Sequence, residues 1–307
     1  MKKSILLCAK TTYVAIFILF LLCLTFSCQQ APSVPESDSH PPVTLRGTEV
    51  RTLAAQAVEG IDYKIWVALP EDYSESSDTY PVVYLLDAWS LYGFQLDTYR
   101  SLRWFNNIPP LILAGISYEG NTTYDQVFNR SRDFMPTTLS QAQLVEKYGQ
   151  HIANTTPASG GASNFLRFFE EELIPFIESE YRAESGSRGL FGLSHGGLFC
   201  TYALFNRPEL FDRYFIGSPS VWYDDYVVFD DEEAFAASHD ALPTRVYMSV
   251  GTEEDKREID AFEQLRDLLN SREYEGLELI AELLEGETHT TGIGLSYSRA
   301  YRWLYGR

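Results

Sequence analysis

The stretch Gly192-Leu193-Ser194-His195-Gly196-Gly197 holds the residues best suited to covalent chemistry. A serine between spaced glycines fits a sharp strand-to-helix turn that lifts the hydroxyl clear of the backbone. A side chain at Gly192 or Gly196 is expected to collide with neighbouring backbone there. The five-residue pattern alone is weak, because glycine and serine are common. Its setting strengthens it, since apolar Leu190-Phe191 runs in and an apolar helical stretch follows at 196–205.

A serine hydroxyl at neutral pH is a poor nucleophile and needs a base. Two histidines lie downstream of that stretch, His239 and His289. His289, in Gly286-Glu287-Thr288-His289-Thr290, directly follows the last strand-like segment and is the expected base; His239 lies in a polar connection and reads as a surface residue. His195, next after the serine, is expected to offer its backbone N–H to an oxyanion. The second such donor is expected after the strand-like segment 82–86, at the N–H of Ala88. The acid that orients the base is expected in Gly251-Thr252-Glu253-Glu254-Asp255, with Glu254 preferred and Glu253 and Asp255 as alternatives. Two of these three carboxylates are expected only to favour a helix start. No metal-ligand spacing occurs, because His40, His151 and His239 are scattered, and the chemistry calls for no cofactor.

The elements that must position these groups alternate. Segments 49–55 and 61–69, joined by a turn at Gly60, read as strands, as do the continuous apolar runs 80–86 and 111–117. Further strands fit 189–191, 214–217, 245–250 and 277–284, and helices fit 165–181 (with a kink expected at Pro175), 196–205, 259–270 and 295–305. Strands alternating with helices predict a mostly parallel central sheet with helices on both faces. Segment 121–161 is long, dotted with Gly, Ser and Thr and without clear periodicity; it reads as an irregular insertion of the kind that forms a lid or binding loop.

Five motifs in order carry a resemblance. Tyr80-Pro-Val-Val-Tyr-Leu-Leu-Asp-Ala88, Arg130-Ser-Arg-Asp-Phe-Met-Pro-Thr137, Gly189-Leu-Phe-Gly-Leu-Ser-His-Gly-Gly-Leu198, Ser218-Pro-Ser-Val-Trp222 and Gly286-Glu-Thr-His289 resemble an esterase family of the α/β-hydrolase fold. That family contains enterobactin and salmochelin esterases and is related to feruloyl esterases and S-formylglutathione hydrolases. The resemblance implies that Ser194 is the nucleophile, His289 the base and Glu254 the acid; some siderophore esterases of the family work as a Ser–His dyad, which leaves the acid open. The chain departs from the family where Ala88 replaces a usual glycine and Leu193 a frequent histidine. Phe134, Trp222 and Tyr223 are candidates to line an aromatic substrate cleft, as are Tyr124 and Phe128, with a place in the core the alternative for each.

The N-terminus reads as an export signal. Lys2, Lys3 and Lys10 flank an apolar run at 13–24, shorter than a membrane-spanning helix, and Leu24-Thr-Phe-Ser-Cys28 resembles a lipobox in which Cys28 becomes lipidated. The expected organisation is a leader at 1–27, a Pro/Ser/acid-rich tether at 28–44 and one catalytic domain at 45–307, lipid-anchored in a bacterial cell envelope, on the outer membrane or periplasmic face. The formal charge of −19 excludes a nucleic-acid partner. The expected activity is hydrolysis of a small carboxylic ester through an acyl-enzyme, on a siderophore or other aromatic or acyl ester. The alternatives are acyl transfer by the same residues, or an inactive binding lipoprotein on this scaffold.

Overall fold

Alternate residues of Tyr80–Leu85 enter two different cores, which is why that run is continuously apolar. Tyr80, Val82 and Tyr84 join one core, and Val83 and Leu85 join the other. The computed structural model describes residues 44–120, 122–148 and 159–306. The leader, Cys28, segment 28–43, His40 and His151 lie outside them.

The chain from Leu45 onward packs as one unit around an eight-stranded sheet of order β1-β2-β4-β3-β5-β6-β7-β8. The strands are β1 (Thr48–Ala54), β2 (Asp62–Ala68), β3 (Tyr80–Leu85), β4 (Ile112–Tyr118), β5 (Ala183–Leu193), β6 (Arg213–Gly217), β7 (Arg245–Gly251) and β8 (Glu278–Leu284). β2 runs antiparallel to both its neighbours, and β4 through β8 are parallel. The predicted mostly parallel sheet with helices on both faces is therefore present. On one face α1 (Ala88–Trp104) and α9 (Ile293–Tyr305) bury Tyr92, Leu96, Tyr297 and Tyr301 against Phe191 and Phe215. On the other lie α4 (Ala162–Phe168), α5 (Ile174–Glu180) and α6 (His195–Asn206), which bury Phe165, Phe168 and Phe199. Each fully buried side chain of this size contributes about 1.5–3 kcal/mol.

Three expectations need correction. The distortion in the 165–181 helix is a π-turn at Phe169–Leu173 rather than a kink at Pro175. The Ile174 N–H reaches Phe169 O, five residues back, just ahead of the residue that has no N–H to give. Segment 121–161 contains α2 (Thr123–Phe134) and α3 (Gln141–Tyr148) where irregular chain was expected. Thr122 and Asp125 cap α2 reciprocally. Two further helices, α1 and α7 (Tyr223–Ala236), also have no counterpart in the sequence reading. α8 (Lys256–Arg272) completes the set described.

Candidate active site

β5 ends at Leu193, and α6 starts at His195, so Ser194 alone makes the turn between them. Its φ of 61° and ψ of −121° are strained for a residue with a Cβ. Ser194 N–H donates to Gly217 O at 2.9 Å, and its carbonyl accepts from Leu198 N–H at 3.0 Å and Ser220 N–H at 3.2 Å. These bonds tie the turn to the end of β6. A Cβ on Gly192 would stand 2.3 Å from Gly196 O, and one on Gly197 would stand 2.8 Å from Gly217 O. At Gly196, by contrast, the nearest atom would be a side-chain oxygen, Asp87 Oδ2, at 3.3 Å. The two glycines that the turn requires are thus Gly192 and Gly197, where Gly192 and Gly196 were expected.

Two strands further along the sheet, the chain leaves β7 at Gly251 and presents Glu254. His289 Nδ1 lies 2.6 Å from Glu254 Oε2; the Glu254 side chain is 1% exposed and that of His289 40%. Ser218 Oγ and Gly251 N–H donate to Glu254 Oε1 at 2.7 and 2.8 Å. Burial opposes the charge on Glu254, but the hydrogen bonds from His289, Ser218 and Gly251 outweigh it and hold the carboxyl below its usual range. The same hydrogen bond raises His289 above an ordinary histidine, against the effect of its own burial. Ser218, the residue after Gly217, therefore joins the turn that holds Ser194 to the pair that holds His289. The neighbouring carboxylates do other work. Asp255 caps α8 by accepting from Arg257 N–H at 2.9 Å, while Glu253 is exposed. His239 stacks on Phe235 with ring centroids 4.3 Å apart, as an exposed residue.

Asp87 opens α1 with a φ of 55° and lines a cavity of about 290 Å³ shared with Ser194. Ala88 is buried, its methyl group against Gly115 of β4. Arg130, from α2, clamps Asp87 through Nε at 2.5 Å and Nη2 at 2.9 Å, and its Nη1 stands 3.3 Å from His195 Nδ1. Burial first, then the charges of Arg130 and His289, lower the His195 pKa to about 3, so its ring is neutral and accepts from Arg130. Sequence reasoning gave neither Asp87 nor Arg130 a role, although both stand inside the quoted motifs.

The aromatic cleft residues are elsewhere. Phe134 is packed on Phe165 and Phe199 at centroid distances of 5.7 and 5.9 Å, and Tyr223 is fully buried with its hydroxyl donating to Thr137 O at 2.8 Å. Trp222 is mostly buried under the Arg257 guanidinium, 3.6 Å from the ring centroid. None of the three lines the Ser194 cavity, whose apolar wall is Trp89, Leu91, Ile116, Val127, Leu193 and Ile293. The Tyr124 side chain lies outside those described.

The strand order, the turn at Ser194 and the buried carboxylate–imidazole pair after β7 and β8 define an α/β-hydrolase. The chain belongs to the family described as Putative esterase, whose model matches residues 57–289. It is 30% identical over 275 residues to the ferri-bacillibactin esterase of Bacillus subtilis, covering 85% of this chain and 90% of that protein. Its fold matches the BES protein from Bacillus cereus with a TM-score of 0.75 at 27% identity, over 87% of this chain and 99% of that one. It also matches an IroE-like serine hydrolase from Shewanella oneidensis with a TM-score of 0.69 at 28% identity, over 84% of this chain and 80% of that one. The chain is a carboxylic ester hydrolase.

Proposed function

We propose that Ser194 attacks the ester carbonyl and forms an acyl-enzyme, with His289 as its base, Glu254 as the acid, and a siderophore ester as the substrate. The observation that carries the mechanism is the 2.6 Å contact between His289 Nδ1 and the buried Glu254 carboxylate. With Nδ1 committed to Glu254, Nε2 is the ring nitrogen left to take the Ser194 proton. Glu254 then stabilises the imidazolium without accepting its proton. Ser194 Oγ bonds to the carbonyl carbon, and the oxyanion is held by the N–H groups of His195 and Ala88. Collapse breaks the bond to the leaving alcohol, which takes the proton from His289. Water, deprotonated by the same imidazole, then releases the acid and restores Ser194.

Two observations support the substrate reading. The ferri-bacillibactin esterase is named for an iron-loaded siderophore, and the Ser194 cavity carries a guanidinium, Arg130, in an apolar wall. Asp87 neutralises that guanidinium, so the wall suits the aromatic rings of such an ester rather than a charge on it. Hydrolysis of a tri-catecholate lactone, a feruloyl ester and a short acyl ester by the purified protein tests it. The lactone is expected to give the highest kcat/KM by orders of magnitude, and equal or lower turnover of the lactone would remove the siderophore reading. The Leu24–Cys28 motif supports a further part of the proposal, a lipid on Cys28 that holds the enzyme to a membrane of the cell envelope.

A further inference from the structure

β5 delivers Ser194 at the C-terminal edge of the parallel strands; the opposite edge carries a different surface. α1 starts beside Asp87 at the active edge and ends at Trp104, so its last turn lies at that far edge, where β4 begins. β1 starts and β2 ends there too, through the pairings Thr48↔Ala68 and Ala68↔Leu113. The chain that follows α1 is bonded back to that helix, as Tyr99 OH donates to Leu111 O at 3.2 Å and Arg103 to Ile108 O at 2.8 Å.

Trp104 and Phe105 stand out from it, 81% and 76% exposed, the two most exposed large apolar side chains among the described residues. Beside them is a cavity of about 350 Å³ whose lining includes Arg46, Arg100 and Arg103 against Glu71 and Asp72. Glu71 is already paired to Arg46 at 2.9 Å, and Arg100 reaches Arg46 O. This spot therefore has a small cationic surplus on a chain whose formal charge is −19. The chain enters the folded unit here, at Leu45, itself 37% exposed.

We propose that this edge docks on a phospholipid bilayer, with Trp104 and Phe105 entering the interface and the arginines meeting lipid phosphates. An amphipathic indole beside a phenyl ring is the side-chain pairing that the boundary between headgroups and acyl chains favours. Arginines beside the exposed ring pair give an anionic headgroup a partner on an otherwise acidic body. Docking of this edge turns the Ser194 cavity away from the membrane and towards soluble esters. The contact is a property of the folded unit, separate from the proposed lipid on Cys28 and from the ester that is cleaved.

Full-length protein on phosphatidylcholine vesicles, with and without phosphatidylglycerol, tests it through quenching of tryptophan emission by brominated acyl chains, read on the vesicle-bound fraction. The chain has five tryptophans, and Trp89 at the active edge is the internal control. Trp104→Ser is expected to remove most of the quenching and Trp89→Phe to leave it unchanged. Phosphatidylglycerol is expected to strengthen the quenching severalfold, and hydrolysis of a soluble ester by Trp104→Ser should match wild type, showing that the variant folds. Quenching that survives Trp104→Ser, or disappears with Trp89→Phe, would overturn the proposal. Absence of any vesicle-bound fraction would do the same. So would shielding of Trp104 from iodide that rises with protein concentration without vesicles, since a second copy would then be the occupant.

Discussion

In the proposed mechanism His289 must be neutral to receive the Ser194 proton, and Glu254 holds its pKa up. Activity therefore falls as pH drops through that raised value, and the acid limb of kcat/KM is expected above the ordinary histidine value of about 6.5. Glu254→Gln removes the main cause of the rise, so its acid limb should move to lower pH while kcat drops by about 10³–10⁴ with little change in KM. Glu253→Gln and Asp255→Asn should stay near wild type, the latter because asparagine still caps α8. A pH–rate series on the three variants checks this; an undiminished Glu254→Gln enzyme would mean a Ser194–His289 dyad. At this scale residue type and chain order carry the reading of Ser194 and His289, whose roles stay part of the proposal. The site was not legible where a role comes from a pairing across the chain. Arg130 meets Asp87 over 43 residues, and nothing local in either motif announces the bond. Phe134 and Tyr223 failed in the opposite way: an aromatic residue near a motif looks the same in sequence whether it faces a ligand or a core.

At the scale of elements, the strands were readable because burial on both faces leaves a continuous apolar run, as in β3 and β4. The missed helices had their signals broken. α1 starts from a left-handed Asp87 without a side-chain cap, and α7 passes through three left-handed residues, Asp224, Asp225 and Tyr226. α2 did carry a readable start, the reciprocal Thr122–Asp125 cap. Thr122→Ala is expected to lower stability by about 1 kcal/mol in a denaturant titration and to loosen the helix that carries Arg130. The turn at Ser194 makes a sharper prediction. Gly192→Ala and Gly197→Ala each press a methyl group into backbone, so both should lose roughly 1–3 kcal/mol and most activity. Gly196→Ala meets the Asp87 carboxylate at 3.3 Å and Leu86 at ordinary contact distance, and should be far milder in the same melts and assays. Equal damage at all three would contradict this account of the turn.

Over the whole molecule, alternation of strands and helices was enough to give the layered sheet, since few arrangements bury both faces of buried strands. The strand order was not readable, because it depends on crossovers between distant segments. The proposed membrane attachment has a test at the same scale. Cys28→Ser is expected to move the protein out of the membrane fraction or leave an uncleaved precursor. Normal processing with unchanged membrane retention would argue for another anchor.

The most direct test of the central claim is the mass of the protein quenched in acid during turnover of an activated ester. An adduct equal to the acyl group, on the peptide that contains Ser194 and missing from Ser194→Ala, is the predicted result. Steady turnover with no adduct at any time point, or an adduct on another residue, would contradict it.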